Sequence, residues 1–159
     1  RDAKSAWVEP GLADRQRVVN MRGRRVAPRL GAALAAVLSP QAIAVSPARR
    51  AHLTLQSLCT GWPALADCDH VTEVSLYTFA ADEVWRWIMA ASAQQASLFI
   101  IGHNPALTEL VNELLGQRQL DNLPTAGYAR LRLSIDSWTQ LATGCGQLDR
   151  LLIPRELTG

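Results

Sequence analysis

The sequence predicts an α/β domain in three layers, with helices on both faces of a mainly parallel central sheet, and three observations carry that reading. Helix-like and strand-like stretches alternate through most of the chain. One strand, Ser97-Leu98-Phe99-Ile100-Ile101-Gly102, is a continuous apolar run, as expected where both faces of a sheet are covered. Two strand ends lead straight into polar clusters that open helices, which is where ligands bind in open α/β sheets.

The elements follow in order. Residues 1–20 read as loop around the turn signal Pro10-Gly11. A helix is expected from about Arg22 to Leu38, with Val26, Leu30, Leu34, Val37 and Leu38 on one face, and Pro40 stops it. Ala42-Ile43-Ala44-Val45 is a buried strand, followed by a helix from Ala48 to about Cys59 that closes before Gly61 and Pro63. His70 to Leu76 reads as a strand, and Ala81 to Ala93 as a helix with Val84, Trp85 and Ile88 on its apolar face. After the run Ser97–Gly102, Pro105 suits the first position of a helix that reaches Leu115 and ends at Gly116. Gly127 to Ile135 alternates with period two, and a last strand spans Gln147 to Ile153. With no internal repeat or linker, residues 1–159 form one domain, long enough to bury roughly 70% of its unfolded surface.

Composition narrows the function classes. The chain is 48% hydrophobic and 19% charged, a globular balance, and its net charge of +2 is too small to argue for nucleic acid. The arginines between Arg15 and Arg29 lack the interleaved aromatics that base stacking needs. Three spaced cysteines form no C-x-x-C pair, so neither zinc nor a disulfide framework is expected, and a reducing, cytoplasmic setting is. No apolar run reaches the length of about 18 residues that suggests a membrane span. No metal or other cofactor is expected.

The chemistry concentrates at the two strand ends. Ser46-Pro47-Ala48-Arg49-Arg50-Ala51 follows one strand and Gly102-His103-Asn104-Pro105 the other. Each sets a cationic or ionisable side chain beside a helix N-terminus, whose open N–H groups favour an anion. On neighbouring strands the two corners would form one phosphate-sized pocket. His52 and His70 stand in no comparable setting.

These motifs belong to a longer register. Arg1-Asp2-Ala3-Lys4-Ser5-Ala6-Trp7 resembles the R-H-A-K-S-x-W signature of the SixA-like phosphohistidine phosphatases, within the histidine phosphatase (phosphoglycerate mutase-like) superfamily. Asp14, Arg17, Asn20 and Arg22-Gly23 continue it; Ser46 to Ala51 with Thr54 matches S-P-A-x-R-A-x-x-T, and Gly102 to Pro105 matches G-H-N-P. Leu123 to Gly127 and Ile153-Pro154-Arg155 resemble its C-terminal segments, so the likeness spans nearly the whole chain.

The resemblance implies a phosphoglycerate mutase-like fold and hydrolysis through a phosphohistidine. Arg1, Arg17 and Arg50 would hold the phosphoryl oxygens, and His103 would stabilise the charge that builds in transfer. The substrate would be a phosphorylated small molecule or a phosphohistidine protein. Asp2 departs from the pattern, because it stands where the nucleophilic histidine is expected. A carboxylate there repels the incoming phosphate by roughly 4 kcal/mol per charge pair at 4 Å and an effective dielectric near 20. Losing a nucleophile that acts within a unit costs on the order of 10⁶ in turnover. Two readings follow, a weakly active phosphatase and an inactive module that binds phosphate or a phosphorylated protein. The resemblance also places Arg1 at the end of a central strand lying upstream. Without that strand, two others would face each other unpaired, an aggregation-prone arrangement.

Overall fold

A computed structural model describes residues 21–124 and 126–153. Its helices are α1 (Met21–Ala35), α2 (Arg49–Gly61), α3 (Ala81–Met89) and α4 (Ala106–Leu115). The strands are β1 (Ala44–Val45), β2 (Val71–Thr72), β3 (Ile100–Ile101), β4 (Tyr128–Leu133) and β5 (Gly146–Leu152). Short 3-10 turns span Pro63–Asp67, Val74–Leu76 and Trp138–Gln140.

The three parallel strands lie in the order β2-β1-β3, and β4 pairs with β5 as an antiparallel ribbon. The expected layers come from the alternation along the short strands. Ile43, Val45 and Ile101 point into a core built with Leu30 and Leu34 of α1 and Leu55 and Leu58 of α2. Ala44 and Ile100 point the opposite way, toward Val84 and Ile88 of α3 and Leu107, Leu110 and Leu114 of α4. Each fully buried Val, Leu or Ile among them contributes about 1.5–3 kcal/mol, so both faces of the sheet are apolar and both are covered.

Two glycines bring α1 and α2 together. A Cβ on Gly31 would lie 2.2 Å from the carbonyl oxygen of Leu58, and one on Gly61 would lie 1.9 Å from that of Pro28. No side chain fits at either crossing, so the two helices touch backbone to backbone.

Several elements are shorter than their patterns suggest. Helix α1 stops at Ala35 rather than Leu38, which leaves Val37 45% exposed instead of on the buried face. Helix α3 ends at Met89, where the N–H of Ala90 closes the last turn on Arg86 and Trp87 carbonyls, so Ala91 to Ala93 lie outside it. The expected strand from His70 to Leu76 pairs only at Val71–Thr72 and then tightens into the 3-10 turn Val74–Leu76. Among the described residues the apolar run Ser97–Gly102 is ladder-paired only at Ile100–Ile101. Helix α4 ends as expected, with Gly116 in the left-handed region at φ 75°.

Among the described residues β3 pairs only with β1, and β4 only with β5. Between these two strands lies a cavity of about 550 Å³, lined by Leu98 and Ile100 on one side, Ala129 and Leu131 on the other, and Leu110 and Leu114 beneath. Phe99 and Tyr128 meet beside it with ring centroids 5.7 Å apart. Among the described residues β3 and β4 thus line one cavity from two sides.

Candidate anion site

The polar corners converge because their strands are neighbours. Val45 is in register with Ile101, and the backbone N–H of Ser46 donates to the Ile101 carbonyl at 3.0 Å, carrying the contact past the strand ends. The chain therefore leaves β1 at Ser46 and β3 at Gly102-His103 side by side, beyond the carboxyl edge of the parallel sheet.

Among the described residues Ser46, His103 and Arg50 meet there, all out of solvent, at 0%, 3% and 7% exposed. Arg50 reaches the site from the first turn of α2, and its Nη2 donates to His103 Nδ1 at 3.0 Å. On the other edge of the ring, His103 Nε2 and Ser46 Oγ are hydrogen-bonded at 2.7 Å. Ser46 Oγ also accepts the backbone N–H of Ala48, just before α2, at 3.3 Å. Arg49, its chain neighbour, is exposed.

The corner that carries His103 is braced from behind. Asn104 Nδ2 donates to the Leu123 carbonyl at 2.8 Å and to Asn122 Oδ1 at 3.0 Å. Its Oδ1 accepts the backbone N–H and the hydroxyl of Thr108 in α4, at 3.2 and 3.0 Å. Thr108 Oγ1 accepts the Leu123 N–H at 2.9 Å, which closes the loop of bonds. The His103 carbonyl meanwhile accepts the N–H of Leu107 at 3.0 Å. The histidine therefore sits on a fixed backbone at the helix start.

Two aromatic rings wall the imidazole. Tyr77 and Phe79 approach His103 edge-to-face, with centroids 5.4 and 6.2 Å away. Phe79 is 56% exposed, so part of its ring stands open next to a buried histidine. Neither ring was indicated by the sequence motifs; they arrive through the turn after β2, whose course no local pattern shows.

Of the residues singled out in the sequence, the structure brings Arg50 and His103 together. Arg1, Asp2 and Arg17 lie outside the described residues. His70 has a structural duty instead: its Nδ1 accepts the N–H of Ile43 at 2.9 Å, so Nε2 bears the proton and donates to the Leu65 carbonyl at 2.8 Å. His52 meets Thr72 Oγ1 at an exposed 3.3 Å contact. Burial pushes the Cys59 thiol up, with Cys68 adding to it, and burial pushes the Tyr128 hydroxyl up against the opposing pull of Arg130 and Arg150.

The arrangement suits a tetrahedral oxyanion. Arginine offers N–H donors in a planar fork, and imidazole adds a donor once it is protonated. Among the described residues no three His, Cys, Asp or Glu side chains gather as a metal site would require, and no helix is long and apolar enough to cross a membrane. The 550 Å³ cavity touches none of Ser46, Arg50 or His103.

No model of a known protein family matches the chain, and no curated protein matches it in sequence. Solved structures do match. The protein assigned as phosphohistidine phosphatase SixA of Agrobacterium tumefaciens is 25% identical, with a TM-score of 0.79 over 96% of this chain and 94% of its own. The protein so assigned in Nakamurella multipartitia is 19% identical, with a TM-score of 0.79 over 96% and 92%. A protein histidine phosphatase SixA complexed with tungstate is 19% identical, with a TM-score of 0.78 over 99% and 96%.

Proposed function

The chain has the SixA-type histidine phosphatase fold, and on that premise we propose that it is a phosphohistidine phosphatase-like protein with an impaired nucleophile. The observation that carries this reading is the buried Arg50–His103 pair at the joined ends of β1 and β3. In the proposed mechanism Arg50 binds and orients the phosphoryl oxygens through its N–H fork, with Arg1 and Arg17 assigned the same task from the sequence register. His103 stabilises the oxygen charge that grows as the bond to phosphorus breaks. The open ring of Phe79 beside His103 suits a planar group on the phosphorus, such as the imidazole of a phosphohistidine or an aryl ester.

Asp2 limits the chemistry. Its carboxylate takes the place of the imidazole that would accept the phosphoryl group, so binding is retained and turnover is slow. The same substitution favours a second reading, in which the site serves only to bind a phosphorylated protein. Both readings require an anion site, and calorimetry with inorganic phosphate tests it. Binding that is lost in Arg50→Ala supports the assignment. A folded protein that takes up no phosphate contradicts it.

A further inference from the structure

Ser46 is fully buried, has no place among the phosphate-holding residues, and yet is bonded to His103 at 2.7 Å. The direction of that bond follows from the opposite edge of the ring. Arginine has no acceptor, so its 3.0 Å contact with His103 Nδ1 requires a lone pair on Nδ1. The neutral ring then carries its proton on Nε2, and at 2.7 Å that N–H donates to Ser46 Oγ. The hydroxyl is held in turn, because its oxygen also accepts the Ala48 N–H and its backbone N–H is tied to Ile101 of β3.

We propose that Ser46 is a positioning residue, which holds the Nε2–H edge of His103 and thereby presents Nδ1 to an oxyanion beside Arg50. The same contact serves both states of the ring. When Nδ1 takes a proton from solvent as the anion arrives, it stops accepting from Arg50 and donates to the anion. The Nε2–H bond to Ser46 is unchanged by that event. An alanine at this position removes the acceptor that holds the Nε2 edge, while Arg50 still requires a lone pair on Nδ1 of the neutral ring.

The inference rests on Arg50 and His103 forming an anion site, and the test separates the two claims. Nitrogen-15 NMR of the His103 imidazole reads the tautomer in the unaltered protein, and calorimetry with tungstate reads oxyanion affinity. The expected result is an Nε2–H ring in the unaltered protein and, in Ser46→Ala, an Nε2 resonance shifted by the loss of its hydrogen bond. Tungstate affinity should fall about ten- to a hundredfold in that variant, the range for one charge-assisted hydrogen bond. Ser46→Thr, which keeps the oxygen, should restore both. A proton on Nδ1 in the unaltered protein overturns the inference without any variant, so the test survives a misfolded substitution. It is equally overturned if folded Ser46→Ala keeps both the Nε2 resonance and the affinity. An Nε2 resonance that Ser46→Ala shifts, in a protein that binds no tungstate, upholds the hold of Ser46 on the ring and sinks the anion-site reading alone.

Discussion

Replacing Asn104 by alanine should unseat the corner that carries His103, and the cost can be worked from its bonds. The substitution removes the donor to the Leu123 carbonyl and the acceptor for both Thr108 groups. Leu123 is 3% and Thr108 7% exposed, so water does not readily replace what is lost. The Asn122 contact is exposed and adds little. Three part-buried bonds broken at about 0.5–1.5 kcal/mol each give a loss of about 2–4 kcal/mol. That is a large part of the roughly 5–15 kcal/mol that holds a domain together. Urea unfolding followed by tryptophan fluorescence measures it. Asn104→Asp divides the effect: it keeps an acceptor for Thr108, sets a carboxylate against the Leu123 carbonyl and adds negative charge next to His103. It should therefore bind phosphate more weakly than Asn104→Ala. A stability change below about 0.5 kcal/mol for the alanine variant, at unchanged urea dependence, would refute the reasoning.

His70→Ala should cost about 1–3 kcal/mol in the same assay, because it strands the N–H of Ile43, which is 1% exposed; an unchanged midpoint would show that the bond is idle. Phe79→Ala should weaken phenylphosphonate binding about two- to tenfold and leave inorganic phosphate unaffected, whereas equal losses for both ligands would remove the ring from the recognition of substituents. Cys59 and Tyr128 stay protonated in the folded chain above their ordinary values of 9.0 and 10.0, where the unfolded chain ionises. Their contribution is complete below those values and is lost as pH rises through the elevated folded ones. The urea midpoint should fall from about pH 8 to about pH 11, less steeply in Tyr128→Phe; parallel slopes would contradict the shift at Tyr128.

Much of the site was legible in the sequence because its parts are local. Ser46 to Arg50 and Gly102 to Asn104 each combine a strand end, a helix start and a polar side chain within a few residues, and the structure sets the two corners on adjacent strands. The layers were legible for a similar reason, since apolar runs separated by helical periodicity leave few other packings. What escaped is long-range. His70 looks idle in sequence because its donor, Ile43, lies 27 residues away. Phe79 reaches His103 only through the turn after β2, and an exposed phenylalanine carries no periodic signal. Strand lengths were overread because an apolar run reports burial, whereas a ladder needs a partner. β3 has one on a single side among the described residues. Helix α1 was overread at its end for a related reason, since apolar spacing continues through Val37 after the helix has closed.

The central claim is that a phosphatase site survives around Arg50 and His103 while Asp2 occupies the position of its nucleophile. Hydrolysis of an aryl phosphate by the unaltered protein and by Asp2→His tests it most directly. The account predicts slow or absent turnover in the first and a gain of several orders of magnitude in the second, abolished again by adding Arg50→Ala. A folded Asp2→His protein that hydrolyses no faster than the original would contradict it.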